Sequence, residues 1–160
     1  MRKNTDLFFV MTVDVDPPPP SDPNLEIDEG TIKLLELFRK YKLKSTFFVT
    51  ATMAEKFPDL MQKIVRDQHE IACHDLDHSP QALRLNAATQ TRRIKVATKI
   101  IESSTNVRPF GYRAPLFKIS RNHLIALQRN GYIYDSSMVC SPFLNFGRIS
   151  LSSKPFLIPI

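Results

Sequence analysis

The hydrophobic pattern switches between continuous apolar runs and helical spacing along the chain. Residues 7–13, Leu-Phe-Phe-Val-Met-Thr-Val, run almost without a polar break, as expected of a strand covered on both faces. Pro17 to Pro20 end that run in a rigid, extended loop. A helix is predicted over 31–41, capped by Asp28, with Leu34, Leu35 and Phe38 on one face. Residues 45–50, Ser-Thr-Phe-Phe-Val-Thr, read as a second buried strand. Pro58 then opens a helix with Leu60, Met61, Ile64 and Val65 on its buried stripe. A third strand is predicted over 69–73. The long helix that follows, 86–103, carries Ile94, Ala97 and Ile101 inward and its arginines outward. Pro109 and Gly111 frame a short strand leading into Tyr112-Arg-Ala-Pro115. Ser120 caps a helix bearing Leu124, Ile125 and Leu127, and Gly131 ends it. Residues 132–134 and 156–160 are the last predicted strands.

Strand–helix alternation implies a parallel sheet, open or closed into a barrel, with helices outside. In such folds the chemistry gathers at the carboxyl ends of the strands. Asp14, Asp16, His74, His78, Arg113 and Asp135 all lie at or just beyond predicted strand ends. That shared position marks them as candidates for one site.

Bulk composition narrows the picture without changing it. A chain of 160 residues suits one domain, 1–160, and its 42% apolar and 24% charged content is ordinary for a globular protein. The net charge of +6 raises nucleic acid as a partner, yet the basic residues are scattered, with a dense group at Arg84, Arg92, Arg93, Lys95 and Lys99. They fall in a predicted surface helix and read as a solvated face, so no nucleic-acid partner is expected. No run has the length of a membrane span. Asp6 and Asp14 bracket the first apolar run, which argues for a strand over a signal peptide and for a cytoplasmic chain. Cys73 and Cys140 are no disulfide framework. Neighbouring strand residues face opposite ways, so Cys73 reads as a core residue pointing away from His74.

His74 and His78, four apart, can face one metal ion if the chain turns between them; otherwise they are two histidines on a polar loop. Residues 12–16, Thr-Val-Asp-Val-Asp, add two carboxylates at i and i+2, on one face while strand geometry lasts. Two histidines and a carboxylate are a common ligand set for a catalytic zinc that keeps a position open for water. One aspartate can bind the metal while its neighbour takes a proton from water. Arg113 can hold that base by a charge-assisted bond, or belong to an ordinary surface ion pair.

Taken in order, the motifs resemble the polysaccharide deacetylase family, the NodB-homology domain of the carbohydrate esterases. They are Thr-Val-Asp-Val-Asp at 12–16, Ser-Thr-Phe-Phe-Val at 45–49, and His-Glu-Ile-Ala-Cys-His-Asp-Leu-Asp-His-Ser-Pro at 69–80. Tyr-Arg-Ala-Pro at 112–115 and Gly-Tyr-Ile-Tyr-Asp-Ser-Ser at 131–137 follow. The resemblance implies an α/β fold, a (β/α) barrel of the seven-stranded type. It implies a metal-dependent hydrolase that removes acyl groups from N-acetylated sugars or cleaves related non-peptide amides, so the partner is a glycan or small amide. By the same resemblance Asp14 is the catalytic base, Asp16, His74 and His78 hold a divalent cation, most simply Zn2+, and Arg113 orients the base. The backbone N–H of Leu116 stabilises the oxyanion, and Asp135 with its serines walls the pocket.

Two features depart from the family pattern. Val15 separates the aspartates, a spelling similar to the branch with peptidoglycan deacetylase-like and allantoinase-like members. The family's last motif, a proton-donating histidine, lies beyond a strand resembling 155–160, and His123 falls in a predicted helix. The barrel is therefore expected to be incomplete at its C-terminus. The alternative expectation is a truncated or degenerate member that binds metal without turnover, with open edges that invite oligomers.

Overall fold

A computed structural model describes residues 9–23 and 25–138. Short apolar segments separated by helices have crossovers long enough to pair in parallel, and five do so. β1 (Thr12–Val15), β2 (Thr46–Val49), β3 (Glu70–Cys73), β4 (Gly111–Tyr112) and β5 (Tyr134–Asp135) form one sheet in the order β1-β2-β3-β4-β5. The intervening helices are α1 (Ile27–Tyr41), α2 (Ala51–Lys56), α3 (Pro58–Arg66), α4 (Ala87–Thr105) and α5 (Arg121–Arg129). Each crossover steps to the next strand without reversing. Right-handed connections then gather the helices on one side of the sheet, unlike the two-sided cover of a doubly wound fold.

Residue parity divides the sheet. Val15, Phe47, Val49, Ile71, Cys73 and Tyr112 join the core beneath the helices, with Leu35, Phe38, Met61, Ile64, Ile94, Ala97, Ile101 and Leu127 above them. Phe38 meets Phe47 edge-on at 6.2 Å between ring centroids, and Tyr132 meets Tyr112 at 5.9 Å. The Tyr132 hydroxyl is satisfied by Thr98 Oγ1 at 2.8 Å, as a buried phenol requires.

Several element boundaries differ from those the pattern predicts. β1 starts at Thr12, and Phe9 and Val10 are exposed, while residues 7 and 8 lie outside the described residues. α1 begins at Ile27, so Asp28 sits inside its first turn, where the helix dipole favours a carboxylate, and does not cap it. Its buried stripe is Thr31, Leu35 and Phe38; Leu34 is exposed. α2 was not legible, because its six residues are too few to show a period. The last described strand is Tyr134–Asp135 instead of 132–134, since Tyr132 turns into the core before pairing begins. The predicted strand at 156–160 lies outside the described residues. Asn86 and Ser120 cap α4 and α5 through their side chains, accepting from Thr89 N–H and His123 N–H. Among the described residues no helix is long and apolar enough to cross a membrane.

Candidate active site

The sheet register delivers the site. Val15, Val49 and Cys73 are aligned, Cys73 pairs Tyr112, and Tyr112 pairs Asp135. The residue after each of the first four strands is therefore Asp16, Thr50, His74 and Arg113, with Ser136 following Asp135. Backbone bonds carry the ladder one step further: Thr50 N–H to Val15 O, His74 N–H to Val49 O, Arg113 N–H to Cys73 O and Ser136 N–H to Tyr112 O. Alternation turns this level away from the helices, with Asp14 one layer below on the same face. The carboxyl edge thus collects groups from five strands that are far apart in sequence.

Asp16, His74 and His78 come together. His74 Nε2 stands 3.3 Å from Asp16 Oδ1, and His78 Nε2 stands 3.6 Å from Asp16 Oδ2. Ligand atoms bonded at about 2.1 Å to a tetrahedral ion are spaced about 3.4 Å apart, so these separations suit a shared cation. The hydrogen bonding points the same way. His74 Nδ1 lies 2.7 Å from Arg113 O, and a carbonyl can only accept, so Nδ1 carries the proton. In the neutral ring Nε2 then aims a lone pair at Asp16 Oδ1. That oxygen is buried and has no hydrogen-bond donor. Two lone pairs held 3.3 Å apart call for a positive centre between them. Burial pushes the Asp16 carboxyl above its usual range; His74 and His78 oppose the rise and Asp14 adds to it. The residues present fit a divalent cation.

Asp14 is gripped separately. Arg113 Nη1 donates to Asp14 Oδ1 at 2.6 Å and to Thr12 Oγ1 at 3.2 Å, and its Nη2 donates to Ser136 Oγ at 2.8 Å. The guanidinium lies 4.0 Å above the Phe48 ring and 5.2 Å from that of Phe117. Arg113 is buried, so this is no surface ion pair. Thr12 and Phe48 were missed in the sequence. Thr12 could have been found as the i−2 neighbour of Asp14 on its face, but Phe48 sits in a run without alternation, where nothing tells it from Phe47.

Leu116 and Phe117 follow the Arg113-Ala-Pro turn with φ of 55° and 56°. Two successive non-glycine residues in the left-handed region are strained, a condition that gathers at functional turns. Asp135 sits a step back from the carboxylate cluster. It accepts from Ser137 Oγ at 2.6 Å and Ser137 N–H at 3.0 Å, while Ser137 Oγ accepts from Ala114 N–H at 2.7 Å. Burial raises the Asp135 pKa and the Ser137 bonds oppose the rise. The other two histidines stand elsewhere. His69 packs between Phe38 and Phe47 with Nδ1 accepting Ser45 N–H, and His123 is buried with Nδ1 against Ser120 Oγ.

The family model for polysaccharide deacetylase matches residues 3–134. The chain belongs to the polysaccharide deacetylase family. A peptidoglycan deacetylase from Helicobacter pylori is 30% identical over 114 residues, covering 71% of this chain and 39% of the relative. A crystal structure from Mycobacterium smegmatis assigned to the polysaccharide deacetylases superimposes with a TM-score of 0.71 at 25% identity, over 81% of this chain and 50% of that one. The structure of a CE4 family pseudoenzyme from Bacillus anthracis superimposes with a TM-score of 0.65 at 18% identity, over 76% of this chain and 40% of that one. The chain thus spans about two fifths of the bacterial peptidoglycan deacetylase.

Proposed function

We propose that this chain is the metal-dependent hydrolytic domain of a deacetylase that removes acyl groups from N-acetylated sugars, with related small amides as a further substrate class. The observation that carries this reading is a donor-less buried carboxylate oxygen of Asp16 facing two imidazoles, beside an Asp14 held independently by Arg113. The glycan part draws on the Helicobacter pylori relative, which is named for peptidoglycan. The five sequential parallel strands support a place in a seven-stranded (β/α) barrel, with 1–160 belonging to that one domain.

Asp16, His74 and His78 would hold the ion, and the nitrogen–oxygen donor set suits Zn2+. When bound, such an ion supplies Lewis acidity that draws the pKa of water down towards neutrality. Asp14 takes the proton from the attacking water, and Arg113 fixes the carboxylate for that transfer through its bidentate reach to Asp14 and Ser136. The Leu116 N–H, on the strained turn, would donate to the oxygen that gains charge as the carbonyl is attacked. Asp135 keeps that turn in place through Ser137 and the Ala114 N–H.

The expected result is one bound zinc per chain, and hydrolysis of N-acetylglucosamine oligomers that is lost with it. Stoichiometry unchanged by His74→Ala combined with His78→Ala would overturn the assignment. One observation favours a second reading, binding without turnover: His69 and His123 both stand in other packed environments. Neither is available to protonate a leaving amine. Zinc binding with hydrolysis of neither acetyl amides nor acetyl esters supports that reading; brisk amide hydrolysis excludes it.

A further inference from the structure

Between His74 and His78 the chain carries Asp75 and Asp77, and a single side chain from α4 holds both. Arg93 Nε donates to Asp75 Oδ1 at 2.9 Å, and Arg93 Nη2 donates to Asp77 Oδ1. Each of those oxygens also accepts a backbone N–H of the same loop: Leu76 N–H at 2.6 Å on Asp75, and Ser79 N–H at 2.9 Å on Asp77. The sequence pattern places Arg93 among outward-facing cations, but its side chain is only 15% exposed and Asp75 is fully buried. Asp75 also stands at φ 69°, a left-handed position that an aspartate adopts at some cost. The loop is tied on its other side by Ala51 N–H to Asp75 O and Thr52 N–H to Leu76 O, each at 3.0 Å, from the first turn of α2.

This wiring is more than a loop needs to stay folded. A buried carboxylate demands a partner, and Arg93 supplies one. Asp77 is 37% exposed and needs none, yet the same guanidinium reaches it. The planar fork spans two carboxylates, which a lysine ammonium cannot do with the same geometry. What the second contact fixes is the path from Asp75 through Ser79, and hence the direction in which His78 leaves the backbone. Among the described residues His78 makes no backbone anchor comparable to the Nδ1 bond of His74 to Arg113 O. Among the described residues its ion-pair partner is Asp16, at 3.6 Å.

We propose that Arg93 is a positioning residue for the metal site, clamping the turn between His74 and His78 through Asp75 and Asp77. The clamp sets the reach of His78 towards Asp16. This rests on the metal reading given above.

The test compares wild type, Arg93→Lys and Arg92→Lys, the last an exposed arginine on the same helix. Zinc affinity is measured by competition with a chromogenic chelator, alongside the melting temperature of the metal-free protein. Residue-resolved hydrogen exchange follows the Leu76 and Ser79 amides. Arg93→Lys is expected to keep the melting temperature near wild type and to weaken zinc binding about 10- to 100-fold, the usual effect of losing a group that orients a ligand. The Ser79 amide should lose protection, and Arg92→Lys should change nothing. Wild-type affinity in Arg93→Lys overturns the clamp, whether or not the melting temperature falls. Should Arg93→Lys fail to fold, Asp75→Asn combined with Arg93→Gln removes both buried charges together, and tight zinc binding by that pair overturns the proposal. Wild type that binds no zinc defeats the metal reading alone. Exchange in the metal-free proteins then decides whether Arg93 holds the loop, and unchanged protection of Ser79 in Arg93→Lys sinks the clamp.

Discussion

Phe47 and Phe48 are neighbours in β2, chemically identical and equally buried, yet they belong to different parts of the protein. Phe47 lies under the helices, with the rings of Phe38 and His69 against it. Phe48 lies on the opposite face, level with Asp14, and carries the Arg113 guanidinium on its ring. The same division separates Cys73 from His74 one strand away. One face of the sheet is a packed core whose members are chosen for volume. The other is a layered polar surface: Thr46 Oγ1 and Tyr134 Oη both donate to Glu70, and the Arg113 network lies above them. Gly111 belongs to this second face, because a Cβ there would meet the Tyr134 ring at 2.1 Å. Stability is concentrated on the first face and chemistry on the second, with a period of two as the boundary.

The largest effects should separate two residues on the chemical face itself. Asp14→Asn is expected to reduce hydrolysis by about 10²–10⁴-fold while leaving metal content near wild type, since a base need not be a ligand. Asp16→Asn is expected to lose metal first and activity with it. Metal analysis beside initial rates on an N-acetylated sugar checks both. Swapped phenotypes would mean that the Asp-x-Asp pair is read one layer out of register.

Substituting the two phenylalanines tests the division directly. Phe47→Ala opens a cavity under the helices and should cost about 3–5 kcal/mol in denaturant unfolding. Phe48→Ala should cost less, because among the described residues no α-helix covers its face and the opened space can admit water. It should nevertheless lower hydrolysis roughly tenfold, as Arg113 loses a cation–π platform worth on the order of 1–2 kcal/mol. Equal stability losses with no change in rate from Phe48→Ala would show the two faces to be one core.

How much of this was legible in the sequence follows from the same geometry. The helix-covered face announces itself through hydrophobic periodicity, so Ile64, Ile94, Ala97 and Ile101 were placed correctly. The candidate site was legible as a set of residue types after strand ends, and the structure brings Asp14, Asp16, His74, His78 and Arg113 to one edge. Contacts between distant segments were not legible. Arg93 looked like one more cation on a basic helix, since its partners Asp75 and Asp77 are brought to it only by the fold. Phe48 was hidden for the opposite reason: it sits in a run so apolar that both faces read alike. Boundaries failed where a side chain defected to the core, as Tyr132 does before β5.

The smallest effect is expected from Cys73, the core-side neighbour of His74. Its thiol is pushed from the ordinary 9.0 up to about 12, chiefly by complete burial; the hydrogen bond with Tyr132 opposes the rise and the Asp75 charge adds to it. An acid whose pKa is raised on folding favours the folded state while it stays protonated. This contribution is therefore full below pH 9.0, where even the unfolded thiol is protonated, and is lost as pH rises towards about 12. The loss has a slope of at most about 1.4 kcal/mol per pH unit. Cys73→Ala removes the group from the core face and gives up a long Sγ contact to Asp75 O at 3.9 Å, so unfolding free energy should fall less steeply with pH above 9.0 than in wild type. Zinc content and hydrolysis should stay unchanged. Denaturant midpoints between pH 8 and 11 measure the slope, with Cys140 present in both proteins. Identical slopes would mean that the thiol is hydrated in the native protein. Loss of zinc in Cys73→Ala would mean more, namely that β3 does not keep its two faces apart at the position where the core ends and the site begins.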